Sequence, residues 1–207
     1  WSPPRPAPSP WPESSSATQS VSKSFVSSLT EQLDPMVNKW QNRSLSGTSY
    51  PYLMTDVLYI KVREDHRVLS KSCHIAIGIT EGGDREIIGF MIQNEESDDT
   101  WSIFFDYLKE RGLQGTELII SDAHKGLVSA IRKSFTNASW QRCQVHFSRN
   151  IFSSIPKKNS KPFREAVKAI FKFTDIELAR TAKNALVGEY IDQSKYTKAC
   201  ETFYNGF

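Results

Sequence analysis

Tyr52-Leu53-Met54-Thr55-Asp56-Val57-Leu58-Tyr59-Ile60-Lys61-Val62 is the stretch on which the fold turns. Its alternation and its β-branched and aromatic residues predict a strand. Outward from it, Ser72 to Thr80 and Glu86 to Gln93 read as two further strands, joined by a hairpin turn at Glu81-Gly82-Gly83-Asp84. A helix comes next, started by Ser97 and Asp98, with Trp101, Phe104, Phe105 and Leu108 as its buried stripe and Gly112 as its stop. Glu117 to Ser121 is a short apolar strand around Leu118, Ile119 and Ile120, after which His124, Leu127, Val128, Ile131 and Phe135 share one helical face. Trp140 to Val145 reads as a fifth strand, and nearly everything beyond it is helical in pattern. Three antiparallel strands followed by alternating helices and strands predict an α/β protein with one mixed sheet.

The 207 residues are 39% hydrophobic and 12% aromatic, enough to build one sizeable core, which excludes global disorder. No apolar run approaches the roughly 20 residues of a membrane helix, so no membrane partner is expected. Twenty-six Lys and Arg against 23 Asp and Glu leave a net charge of +3, too little to name a partner without its distribution. Cys73, Cys143 and Cys200 are odd in number and scattered, a poor disulfide framework that points to a reducing, cytoplasmic setting. The chain opens on Trp1 with no secretory leader pattern and reads as a fragment. Six of the ten prolines fall within the first twelve residues, so 1–19 is expected to be a disordered Pro/Ser-rich tail. Phe25, Val26, Leu29, Leu33, Met36, Val37 and Trp40 recur at helical spacing, with Pro35 expected to separate two short helices and Ser44 to Ser49 a linker.

Two acids stand out from this frame. Asp56 shares its strand face with Tyr52, Met54, Leu58 and Ile60, an apolar setting in which an unpaired carboxylate costs several kcal/mol. It either binds a cation or accepts strong hydrogen bonds; a solvent-facing Asp on an edge strand is the plainer alternative. Asp122 ends the apolar strand and precedes a helix, where it serves either as an N-cap or as a ligand at the carboxyl end of a strand. Together the two make a credible Mg²⁺ site, since hard cations take carboxylate and phosphate oxygens. Cys143 and His146 have C-x-x-H spacing but lack a second pair, so no structural zinc is expected. Between Trp140 and Thr174, eight basic residues (Arg142, Arg149, Lys157, Lys158, Lys161, Arg164, Lys168 and Lys172) face one acid, Glu165, as a phosphate-binding surface requires; a solvated helix face is the alternative.

The order of elements matches the ribonuclease-H-like fold, and the stretches 50–65, Ile75-Ala76-Ile77-Gly78-Ile79, Arg85-Glu86-Ile87-Ile88-Gly89, 96–101 and 108–113 resemble the Mutator-type transposases of bacterial insertion sequences. Ile120-Ser121-Asp122-Ala123-His124-Lys125-Gly126-Leu127 and Trp140-Gln141-Arg142-Cys143-Gln144-Val145-His146-Phe147-Ser148-Arg149-Asn150 look like two more signatures of that family, in order, with the resemblance running from about Val21 onward. The resemblance implies a metal-dependent recombinase using Mg²⁺ (or Mn²⁺), with Asp56 and Asp122 as its first two acids, and Cys143 and His146 on the signature that accompanies the core. It implies a short helical remnant of a DNA-binding region over 20–49, a catalytic core over 50–155, and over 156–207 the start of an all-α insertion. Residues 1–19 look unlike the family. Its third acid, a Glu, is expected beyond Phe207, because Glu165, Glu177, Glu189 and Glu201 lack the family's context.

The partners so implied are the DNA of the element's terminal repeats and target DNA, with a possible homo-oligomer, in the cytoplasm of a bacterium. Two readings stand. One is a transposase that cleaves phosphodiesters at element ends and transfers the strand. The other is a truncated, inactive remnant that only binds DNA or the full-length transposase.

Overall fold

The structure is a computed structural model that describes residues 22–207. The tail expected over 1–19 lies outside the described residues. The chain forms two compact units, one ending at Trp40 and the other running from Gln41 to Phe207.

In the first unit a single helix, α1 (Lys23–Gln41), replaces the two helices expected around Pro35. The proline ring withholds one N–H from the ladder, and the bonds on either side carry the helix through. Phe25, Leu29, Leu33 and Met36 repeat along it at helical spacing and are exposed.

The second unit is built on a five-stranded mixed sheet. β1 (Tyr52–Glu64) and β2 (Arg67–Ile79) form a long antiparallel hairpin, in register from Tyr52↔Ile79 to Glu64↔Arg67. Its tight turn is Asp65-His66, both at positive φ, which starts β2 five residues before the Ser72 read from sequence. The signal was weak because neither turn residue is the glycine such turns favour. β3 (Arg85–Gln93) lies antiparallel to β2 after the expected turn, where Gly83 takes φ +89° and its N–H bonds to the Thr80 carbonyl. β4 (Leu118–Ser121) pairs parallel with β1, and β5 (Ser139–Arg142) parallel with β4, giving the order β3-β2-β1-β4-β5. This is the ribonuclease-H-like arrangement expected from the order of elements.

Helix α2 (Asp98–Glu110) begins at a capping box, in which the Ser97 hydroxyl accepts the Thr100 N–H and the Thr100 hydroxyl accepts the Ser97 N–H. Its Trp101, Phe104, Phe105 and Leu108 are wholly buried against the sheet, each contributing roughly 2–3 kcal/mol of transfer free energy. The approach is close: a Cβ on Gly89 would stand 2.7 Å from a Leu108 methyl. Helix α3 (Lys125–Ser134) packs beside α2, with Leu127, Ala130 and Ile131 buried.

Four helices follow: α4 (Gln144–Ser153), α5 (Lys161–Ile170), α6 (Ile176–Tyr190) and α7 (Thr197–Gly206). They enclose a second core in which Phe147, Ile151, Phe163, Val167 and Phe203 are buried.

Candidate active site

The last paired rungs between β1 and β4 are Tyr52↔Leu118, Leu53↔Ile119 and Met54↔Ile120. Carrying that register two residues further brings Asp56 level with Asp122, just past the end of β4. The two acids therefore come side by side, Asp56 within β1 and Asp122 at the carboxyl end of the parallel neighbour β4, the kind of strand end where α/β folds bind ligands.

Asp56 does not stand on a buried face. The core side of β1 is the opposite parity, with Leu53 and Thr55 buried, while Tyr52 and Leu58 are exposed and the Asp56 side chain is 53% exposed. Desolvation therefore does not act on it as the sequence suggested. The reason is that both parities of β1 are apolar enough to be core, and α2 and α3 cover only one. Asp56 Oδ1 accepts the Val57 N–H at 2.8 Å, and Oδ2 lies 3.9 Å from His146 Nε2. Nor is this an edge strand, since β1 is third of five.

Asp122 is not the cap of α3; that position belongs to His124, which makes no side-chain cap bond. Asp122 Oδ1 instead accepts the His124 N–H at 3.1 Å, a local turn that orients the carboxylate. Cys143 caps the backbone of α4, and its N–H bonds to the Ser121 carbonyl at 2.6 Å, tying the start of that helix to the end of β4. The fifth strand accordingly ends at Arg142, three residues before the expected Val145. Cys143 and His146 line a small cavity of about 110 Å³ together with Asp56, Met54 and Ile120. Among the described residues no cluster of three or more His, Cys, Asp or Glu is arranged to hold a metal ion.

Arg142 reaches this end of the sheet from β5. Ser121 is its register partner, and the negative charge of Asp122 acts on its guanidinium. Burial holds that guanidinium below the ordinary arginine value, and it stacks 4.2 Å from the Phe147 ring. Arg149, Lys157, Lys158 and Lys161 are exposed along α4, the following loop and the start of α5, with Lys161 3.8 Å from Glu165.

Sequence reasoning missed Glu96. Its side chain is 7% exposed, and its oxygens accept the Tyr59 hydroxyl at 2.8 Å and the Trp101 indole N–H at 3.1 Å, with His124 Nδ1 at 3.3 Å. The Tyr59 phenol is raised above its ordinary pKa first by that hydrogen bond, then by burial and the charges of Glu96 and Asp122. Glu96 thus ties β1, α2 and the Asp122 turn together. The acid precedes a visible helix start, but nothing local signals partners on three separate elements.

The sequence profile described as "Transposase, Mutator family" matches residues 13–207, beginning before Val21 and inside the segment that looked unlike the family. The chain is 80% identical over 189 residues to the transposase for insertion sequence element IS256 in transposon Tn4001 of Staphylococcus aureus, covering 91% of this chain and 48% of that protein. It is 36% identical over 185 residues to the transposase for insertion sequence element IS1081 of Mycobacterium tuberculosis, covering 84% of this chain and 45% of the relative. The chain therefore spans about half the length of the curated relatives it matches. Overlays on solved structures are loose, the Drosophila P element transposase strand transfer complex giving a TM-score of 0.38 at 13% identity over 86% of this chain and 55% of that one, and the assignment does not rest on them. On the profile match and these identities, the chain belongs to the Mutator family of transposases.

Proposed function

We propose that this chain carries the first two acids of a transposase active site that cuts DNA phosphodiesters at the ends of an insertion sequence and transfers the strand to target DNA, in the cytoplasm of a bacterial host. The observation that carries this is the level placement of Asp56 within β1 and Asp122 directly after its parallel neighbour β4. Their donor set fits a hard divalent cation such as Mg²⁺ or Mn²⁺: two carboxylates, neither fully buried, each with one oxygen engaged by a backbone N–H and the other available. Asp56 and Asp122 would hold it. Bound there, such an ion polarises a phosphoryl oxygen and lowers the pKa of an attacking water or 3′-hydroxyl. Arg142, beside Asp122, faces the phosphate charge, and the exposed Arg149, Lys157, Lys158 and Lys161 draw the duplex in without reading its sequence.

A second reading is favoured by one observation: among the described residues no third acid joins the pair. On that reading the 207-residue chain only binds DNA or the full-length transposase, without cleaving DNA.

Mn²⁺ uptake followed by electron paramagnetic resonance, alongside binding of a labelled duplex, tests the proposal. The wild type takes up Mn²⁺ and DNA, and Asp56→Asn or Asp122→Asn loses the metal while keeping the duplex. Unchanged Mn²⁺ uptake in both variants rejects the site. Mn²⁺-dependent nicking by the wild-type chain, lost in Asp122→Asn, decides against the second reading.

A further inference from the structure

Past the β5 edge lies a groove of about 480 Å³ that shares Arg142 with the two-acid site and is otherwise distinct from it. Trp140 and Arg142 of β5, Phe147 of α4 and Phe171 and Phe173 after α5 form its walls, and no acidic residue lines it. Phe173 is 47% exposed. Arg142 stacks on Phe147, its Nε is buried with no hydrogen-bond partner, and it makes no ion pair among the described residues. The end of α7 is pressed against that stack, since a Cβ on Gly206 would fall 2.6 Å from both the guanidinium and the Phe147 ring.

A cation stacked on a ring with no direct ion pair, between further aromatic faces, suits a ligand that is flat, π-rich and attached to a negative charge. A nucleotide has all three properties. A base stacked within a duplex cannot present its face to protein rings, whereas an unpaired one can. The groove also begins one strand away from Asp122, through the Ser121↔Arg142 rung, so a nucleotide beside the one held at the acids is within its reach.

We propose that this groove takes an unpaired base of the DNA strand, stacked among Trp140, Phe171 and Phe173, with Arg142 on the adjoining phosphate. The inference rests on the DNA-processing reading above. It is tested with the 207-residue chain, without divalent metal, on two labelled duplexes that differ only in one unpaired central adenine.

The wild type should bind the bulged duplex on the order of tenfold more tightly than the paired one. Phe173→Ala should remove that preference and leave paired-duplex affinity unchanged, while Phe173→Trp should retain it. Because Phe173 is half exposed, its truncation leaves the buried core intact. Equal affinity for the two duplexes in the wild type overturns the groove proposal alone. So does a preference that survives Phe173→Ala and also Phe171→Ala, or self-association of the chain that Phe173→Ala abolishes, which would assign the groove to a second copy. Failure to bind either duplex overturns the DNA reading and the groove with it.

Discussion

Within the unit Gln41–Phe207, the sheet with α2 and α3 and the bundle of α4 to α7 solve different problems. The first fixes acids: Asp56 stands on β1 and Asp122 directly after β4, strands whose register is set by backbone bonds, and Glu96 fastens the turn beside them. The second distributes cations, with Arg149, Lys157, Lys158 and Lys161 on exposed helix and loop positions. Chemistry at a phosphate requires atoms held to fractions of an ångström, whereas attraction of a polyanion acts over about a Debye length, 8 Å at physiological salt, and tolerates mobile side chains. On the proposed DNA-processing role, each charge type stands on the element of matching stiffness.

Separate cores imply separable stability. Trp101 is wholly buried, edge-on to His74 at 4.2 Å and stacked on Phe105, so Trp101→Ala should cost about 3–5 kcal/mol and unfold the sheet region in urea. Phe163→Ala, equally buried in the helical core, should cost a similar amount. There, amide exchange should accelerate in α5 to α7 while β1 and β2 stay protected. Loss of protection in both regions would show the two cores to be one cooperative unit.

A smaller effect is expected at Gly126, where a Cβ would stand 2.8 Å from the Asp98 nitrogen and 3.1 Å from the Ser97 carbonyl carbon. Backbone at a helix cap cannot yield, so Gly126→Ala should cost about 1–3 kcal/mol by pushing α3 off α2, read as a lowered melting temperature. Gly188 meets nothing within 4 Å in the helical region, and the same substitution there should stabilise by up to about 1 kcal/mol.

The sheet region should also carry a pH dependence. His74 is fully buried, and desolvation lowers its pKa, against the opposing pull of Glu96, so the folded state keeps it neutral. The unfolded chain takes up a proton as pH falls through about 6.5, so stability present above that value declines below it. His74→Leu should flatten that decline, measured as urea midpoints at pH 7 and 5.5. The least effect on folding belongs to the exposed cations. Lys157→Ser, Lys158→Ser and Lys161→Ser together should change stability by no more than about 0.5 kcal/mol while making DNA binding less salt-dependent, by about one unit of log–log slope for each phosphate no longer neutralised.

The same contrast governs what could be read from the sequence. Ser97, the Trp101-to-Leu108 stripe and the apolar run into Ser121 are local signals, and each marks the element found there. The nearness of Asp56 and Asp122 was legible because the order of elements sets β4 beside β1 in such a sheet. The buried face of β1 was not, because Leu53 and Val57 compete evenly with Met54 and Leu58 and only the position of α2 decides. Pro35 reads as a break in sequence, but its penalty is local and the surrounding bonds of α1 outweigh it. In the helical region the basic count was plain, but the four helix boundaries were not drawn, and the stacking of Arg142 on Phe147 joins β5 to α4 in a way no periodicity records.

The rung between Met54 and Ile120 also constrains the order of assembly. β1 to β3 can zip as successive hairpins over turns of a few residues, but β4 reaches β1 only after β2, β3 and α2 have been made and folded back. Loop-closure entropy makes that parallel pairing the slow step of the sheet. Mutations at Ile120 should then slow refolding as well as speed unfolding, and those in the β1–β2 hairpin, already formed before that step, should act mainly on refolding. An intermediate with the hairpins formed would already possess Asp56 and lack Asp122 beside it, so the two acids meet only as the sheet completes.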